Sequence, residues 1–289
     1  MGRAAGTHFR LYSRFARQVR FADLLPSPPH GAEWAAALRA LSPGDQPYDL
    51  VLLSCKAYDL EGAIEALAPA VGPQTALLPL LNGMRHLDVL EQCFGAERVL
   101  GGECVIAATL DEAGRIVHLN DAHLLVFGER GAATSPRAEA IAAAMQGAKF
   151  VSRLSSEILL EMWEKWVFLA SLAGITCLMR ASVGDIVAAD GASAALQLLD
   201  ECRAVAAAAG YAPRAEALAR ARTALTAPGS TLTASMLRDI ERGARIEADH
   251  VLGDLLDRSR GAIDAERSLL RLATLHAKAY QARQSRSSR

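Results

Sequence analysis

The sequence predicts an α/β fold in two parts: a parallel sheet interleaved with helices up to about residue 154, and an all-helical region over 155–289. Two apolar runs, 49–55 and 75–81, follow turns and are separated by a helical pattern at 59–67, which is the alternation of a parallel sheet. Beyond Ser155 no strand pattern survives, and helical periodicity recurs to the end. Aromatics make up only 5% of the 289 residues while 51% are hydrophobic, a mixture that favours helices and helix-covered sheets over an all-β sandwich.

Each element has its own signal. Residues 9–12 and 18–21 alternate apolar with polar and read as short strands. Pro26-Ser27-Pro28-Pro29 then breaks the chain, and 34–41 reads as a short helix closed by Ser42-Pro43-Gly44-Asp45. Pro79 has no N–H to give a ladder, so it belongs at a strand end or edge. Asn82-Gly83 marks a turn, 86–94 a helix and 98–110 a further strand. Residues 116–119 and 123–128 read as two short antiparallel runs about Asn120-Asp121-Ala122. Ser135-Pro136 opens a helix to about Met145, with Ser135 as its cap. Later helices are expected over 156–179, 193–209 (closed by Gly210), 214–225, 233–258 and 262–283.

Composition narrows the function. Lys plus Arg number 31 and Asp plus Glu 32, so there is no global field for nucleic acid or an anionic membrane surface. Cys55, Cys93, Cys104, Cys177 and Cys202 are scattered and form no C-x-x-C pair, which reads as reduced thiols in a cytoplasmic protein. The start is Arg-rich and lacks the continuous apolar stretch of a secretory signal. The uncharged run 166–179 is shorter than the about 20 residues a membrane span needs.

Several residues could carry chemistry. Lys165 closes the charged stretch 157–165 and opens the uncharged one, and it shares a helix face with Leu169 and Ala173. An ammonium at the mouth of an apolar helix is partly desolvated and can serve as a proton donor. The same spacing serves a lysine that only lays its stem over apolar neighbours. Ser235, Asp239, Gly243 and Glu247 fall within the expected helix 233–258, the last three on one side. A glycine there costs about 1 kcal/mol and marks close approach by a ligand or neighbour, while a solvated polar face explains the charges equally. Lys56 and Asn82-Gly83 follow successive buried strands, where parallel sheets bind ligands; an ordinary turn and a surface lysine are the plain alternatives. His118 and His123 flank a turn near Glu129, but their offset forms no metal-ligand signature. His8, His30, His250 and His276 carry no pattern.

Taken together, Val51-Leu52-Leu53-Ser54-Cys55-Lys56-Ala57-Tyr58-Asp59, Leu80-Leu81-Asn82-Gly83-Met84, Met162-Trp163-Glu164-Lys165, Ser235-Met236-Leu237-Arg238-Asp239-Ile240 and Ile246-Glu247-Ala248-Asp249 resemble the ketopantoate reductase (2-dehydropantoate 2-reductase) family in order and spacing, over residues 47 to 260. The resemblance implies a Rossmann-type domain, an all-α domain and an active site between them. It implies NADP-dependent reduction of a 2-oxo acid, with Lys165 donating the proton. By the same resemblance Asn82 touches cofactor and substrate, Lys56, Ala107 and Glu247 contact the cofactor, and Ser235 binds the substrate. A homodimer is an open possibility, since self-burial explains the apolar helices equally well.

Two departures bear on this. The family opens with a strand, a G-x-G-x-x-G turn and a helix that receives the pyrophosphate, and this sequence contains no such motif. The expectation is therefore an incomplete Rossmann-type sheet, with the chain starting where the first β-α-β unit has ended and binding NADP weakly or not at all. On that view the alternative to an enzyme is a non-catalytic remnant acting as a helical dimerisation or binding module. The third option is a 3-hydroxyacid dehydrogenase of similar two-part build. Further, Leu169, Ala173 and Val183 stand where the family's ketopantoate enzymes carry asparagines, which points to a more apolar substrate.

Overall fold

The computed structural model describes residues 9–12, 48–110, 116–131, 133–264 and 266–287. The strand expected at 18–21, the helix at 34–41 and the turn at 42–45 lie outside these. The chain divides into two compact units: one takes it up to Leu81 together with His86–Ile158, the other takes Asn82–Arg85 and everything from Leu159 on.

The first unit is built on β1 (Phe9–Tyr12), β2 (Leu50–Leu53) and β3 (Ala76–Pro79), a parallel sheet in the order β1-β2-β3. Leu50 lies opposite both Phe9 and Ala76. All four residues of β2 and of β3 are buried, as the unbroken apolar runs require of strands covered on both faces. Pro79 ends β3, and the next amide, Leu80 N–H, donates to Leu53 O at 2.8 Å, so the missing proline donor falls where the ladder stops. A 3-10 turn (Ala57–Asp59) leads from β2 into α1 (Leu60–Leu67), and α2 (Arg85–Phe94) follows β3.

Val99 bridges Leu77 in parallel and leads into β4 (Gly101–Leu110). A Cβ on Gly102 would stand 2.6 Å from Pro79 O, so only glycine allows β4 to start this close to β3. β4 pairs antiparallel with β5 (Ile116–Gly128), and β5 pairs parallel with β6 (Val151–Leu154). α3 (Pro136–Ala144) covers this region. Its first turn is held as the sequence suggests: Ser135 Oγ accepts from Ala138 N–H at 3.2 Å. The Arg137 guanidinium grips Glu129 at 2.6 and 2.7 Å and holds that carboxyl below the usual carboxylate range. Leu50, Leu52, Leu78, Leu100 and Phe127 pack with Ile141 and Met145 as the core of the unit.

Two readings of this region need correction. Residues 116–128 are one strand, not two runs about a turn; its partner is β4, and the pairing skips from Ile106–His123 to Ala108–His118 around an irregularity at Ala107. The short strand β6 was not anticipated, because Val151-Ser152-Arg153-Leu154 alternates weakly and is half exposed.

The second unit contains helices only among its described residues: α4 (Ile158–Met179), α5 (Val183–Ala188), α6 (Ala192–Ala208), α7 (Ala215–Leu225), α8 (Ser235–Glu241), a π-turn (Asp249–Gly253) running into α9 (Asp254–Asp257), and α10 (Leu269–Ser287). On α4 the absence of a side chain at Gly174 lets Leu198 of α6 and Ala273 of α10 close in, to 2.7 and 3.3 Å from where a Cβ would sit. Gly210 follows α6 with φ 89°, the expected left-handed close.

The helix expected over 233–258 does not exist as one element. α8 ends at Glu241, and Gly243 takes φ 65° while Ala244 N–H donates to Asp239 O at 2.8 Å. Gly243 is thus a helix terminator rather than a site of close approach, and Glu247 is not on the helix of Asp239. The last helix starts at Leu269 rather than 262 because Glu201 caps it there. Its carboxylate accepts from Ser268 Oγ (2.7 Å), Leu269 N–H (3.1 Å) and Leu270 N–H (3.0 Å).

Candidate active site

Lys165 sits partly buried on α4, and both its neighbours are anchored. Glu164, on its N-terminal side, accepts from Arg214 three times: Nη2 at 2.6 Å, Nε at 2.8 Å and the backbone N–H at 2.8 Å. That carboxylate is engaged by the residue just before α7. On the other side the buried Trp166 donates its indole N–H to Val251 O at 2.9 Å. Trp163, a turn earlier, stacks on Tyr211 with centroids 5.6 Å apart and planes at 13°. The stretch of α4 that carries Lys165 is therefore fixed from several directions by partners distant in sequence.

Asn82 and Gly83 form a bend directly after the strand-β3 region, and the bend packs with the helical unit. Gly83 has φ 78°, and a Cβ there would stand 2.7 Å from His250 O and 3.1 Å from His250 Cδ2. The residue must be glycine both for its conformation and for the contact. The His250 ring hydrogen-bonds the Asn82 backbone, and this favours the protonated imidazole. A backbone group with that effect is a carbonyl, so the ring N–H donates.

Glu247 begins the turn to which His250 belongs. Its carbonyl accepts from His250 N–H at 3.2 Å and from Val251 N–H at 2.9 Å. One short segment, 247–251, thus joins three things by hydrogen bonds: the Asn82 bend through His250, Glu247 itself, and the Trp166 flank of Lys165 through Val251. Beyond it, the buried Asp254 is bound by Arg258 at 3.1 Å, and the Arg258 guanidinium lies 5.9 Å from the Trp166 ring centroid.

The remaining candidates are more scattered. Ser235 is the first residue of α8 and is exposed; the residue before it, Ala234, donates its N–H to Thr176 Oγ of α4 at 3.4 Å. Lys56 and Ala107 belong to the strand unit. Lys56 has φ −70° and ψ 147° at the head of the 3-10 turn after β2, and Ala107 lies at the pairing irregularity of β4. Of the apolar replacements, Ala173 is 4% exposed, Val183 1% and Leu169 half-buried. The His118 and His123 rings meet edge to face at 4.8 Å, beside Phe150.

The sequence reading passed over His250. Its only signal was a histidine three positions after Glu247, between Asp249 and the apolar Val251-Leu252, which had no meaning until Gly83 came to lie against it.

A parallel-strand domain followed by a helical domain, with a lysine-bearing helix tied to the turn after Glu247, defines a two-domain α/β protein. The comparisons make this specific. Residues 16–131 match the family described as ketopantoate reductase PanE/ApbA, and residues 157–277 match its C-terminal domain. An uncharacterized oxidoreductase, YkpB, of Bacillus subtilis (strain 168) is 34% identical over 214 residues, 74% of this chain and 71% of its own. Among solved structures, 2-dehydropantoate 2-reductase from Methylococcus capsulatus superposes with a TM-score of 0.74 at 22% identity, over 96% of this chain and 85% of that one. D-mandelate dehydrogenase in complex with NADH and anilino(oxo)acetate shares the fold, with a TM-score of 0.73 at 19% identity over 84% and 79%. The chain belongs to the ketopantoate reductase family. No helix among the described residues is long and apolar enough to cross a membrane.

Proposed function

We propose that this chain reduces a 2-oxo acid to the 2-hydroxy acid with NADPH, with Lys165 as proton donor and domains at 1–154 and 155–289. What supports the reading most is the hydrogen-bonded segment 247–251, which ties Asn82, Glu247 and the helix of Lys165 into one packed unit.

The donor set fits the nicotinamide end of a dinucleotide. Lys56 and Asn82 follow the carboxyl ends of parallel strands, the ordinary ligand edge of such a sheet, and they offer an ammonium and an amide. Glu247 and Ala107 would complete the set that holds the cofactor. The sequence contains no G-x-G-x-x-G turn to receive the pyrophosphate, so the fit is confined to the nicotinamide end. When bound, the reduced nicotinamide supplies the hydride that adds to the carbonyl carbon.

Lys165 does the rest of the acid–base work. Its ammonium faces the carbonyl oxygen, offsets the charge that develops there, and gives it one proton as the hydride arrives; solvent then reprotonates the amine. Asn82 and Ser235 orient the acid by hydrogen bonding, and Asn82 also contacts the cofactor. The clamps on Glu164 and Trp166 fix the stretch of helix from which the Lys165 side chain projects, which limits the space its amine must search.

The substrate is a 2-oxo acid more apolar than ketopantoate. Ala173 and Val183 are buried and, with Leu169, offer no hydrogen bond to a substrate hydroxyl. The same fold in D-mandelate dehydrogenase holds an aryl-bearing 2-oxo acid analogue, so aromatic 2-oxo acids belong in the test. Rates of NADPH and NADH oxidation over a panel of aliphatic, aromatic and hydroxylated 2-oxo acids should favour the apolar members with NADPH. A clear preference for ketopantoate would overturn the substrate assignment. No turnover with any member would overturn the function.

A further inference from the structure

We propose that His250 is a positioning residue, a clasp that holds the Asn82–Gly83 bend against the Glu247 turn in the conformation from which Asn82 serves the reaction. The inference rests on the reductase reading for its catalytic meaning, and on geometry for the clasp itself.

The geometry is specific. His250 is 7% exposed and belongs to the π-turn Asp249–Gly253, an irregular winding that is frequent at functional sites. The π-turn carries His250 C=O and the ring edge to the same small target. Both meet the place where Gly83 lacks a Cβ. The ring also hydrogen-bonds the Asn82 backbone, so the contact is chemical as well as steric. The same turn is fixed from behind by Trp166 at Val251 and by Lys278, whose ammonium is 3.2 Å from Asp249. A bend with a left-handed glycine has many alternatives available to it. One donor from a rigid turn is an economical way to select among them.

The charged groups acting on the ring are Glu247, Arg85 and Arg258. Burial outweighs them and holds the imidazole below its ordinary value, so the ring is neutral at neutral pH, with one N–H to give. A residue serving only to fill space would need no such donor, and this difference separates a clasp from packing. Leucine fills similar space without donating. Glutamine places an amide N–H near the position of the imidazole Nε2, the ring nitrogen nearest Gly83.

The experiment compares wild type, His250→Leu and His250→Gln in the full chain, by two readouts. The first is amide hydrogen exchange at 82–85 without cofactor or substrate. The second is kcat and KM for the best 2-oxo acid with NADPH. For His250→Leu, exchange at 82–85 should rise about tenfold while that of α6 is unchanged, and kcat/KM should fall by about ten- to a hundredfold, as expected for a misplaced reacting group. His250→Gln should restore most of both. Wild-type exchange in His250→Leu overturns the clasp, as does failure of glutamine to do better than leucine. Wild-type kcat/KM in a well-folded His250→Leu overturns the positioning role. Should leucine unfold the chain, Gly83→Ala breaks the same contact from the other side and should show the same exchange signature. A wild-type chain inactive on every 2-oxo acid fails the reductase reading, and the exchange readout then decides the clasp alone.

Discussion

The indole N–H of Trp166 donates to the carbonyl of Val251 at 2.9 Å across 85 residues of sequence. This bond joins the residue after Lys165 to the turn that starts at Glu247. Trp166→Phe keeps the ring and removes the donor, leaving a buried carbonyl without this bond. The expected cost is about 1–3 kcal/mol of unfolding free energy in urea. If the bond also aligns Lys165, kcat should fall with KM little changed. A variant as stable and as active as wild type would show that the bond is incidental.

Glu201 caps α10 with three acceptor contacts. Glu201→Ala should destabilise the chain by about 2 kcal/mol, and Glu201→Gln by less, because glutamine keeps an acceptor oxygen but loses the charge favoured at a helix N-terminus. Denaturant unfolding curves read this directly. Since α10 bears none of the candidate site residues, KM should be unaffected in either variant.

Burial pushes the thiols of Cys177 and Cys202 up to about 12. Cys93 is exposed. Titration of the native chain with a thiol-specific disulfide reagent near pH 8 should therefore modify Cys93 rapidly, and Cys177 and Cys202 only after denaturant is added. Fast native modification of Cys202 would mean that the α4–α6 packing opens.

His250 gives stability a defined pH dependence. Its value is lowered on folding, chiefly by burial, so below its unfolded value of 6.5 the unfolded chain takes up the proton more readily. The contribution is complete above that value and is lost as the pH falls through the lower folded value. Melting temperature should drop between about pH 7 and about pH 5 more steeply in wild type than in His250→Gln. Parallel curves would show that the ring does not titrate in this window.

Much of the fold was legible because its signals are local. The run Leu50–Leu53 had to be a strand covered on both faces, and it is fully buried. Ser135 and Pro136 named the first turn of α3 correctly. Errors came where one residue type has two meanings. Gly243 costs stability inside a helix but also ends one, and sequence alone did not choose; the left-handed φ and the Ala244–Asp239 bond do. The helix α5 was missed although Ser182 and Asp185 form a reciprocal capping pair, because only six residues follow it. Of the candidate site residues, Lys165 stood out at a charge boundary and Asn82 at a strand end, while Glu247 was picked by a helix-face spacing that the break at Gly243 removes. His250 did not, because its significance lies in a bend more than 160 residues earlier in the chain.

The most direct test of the proposed chemistry is the rate of NADPH oxidation by wild type and Lys165→Ala with the best 2-oxo acid, in chains of matched stability. Removal of a positioned proton donor should lower kcat by about a hundred- to ten-thousandfold with little change in KM. Equal rates in the two proteins would mean that the amine on α4 is not the acid, and that the chemistry assigned to this face of the helical unit belongs elsewhere.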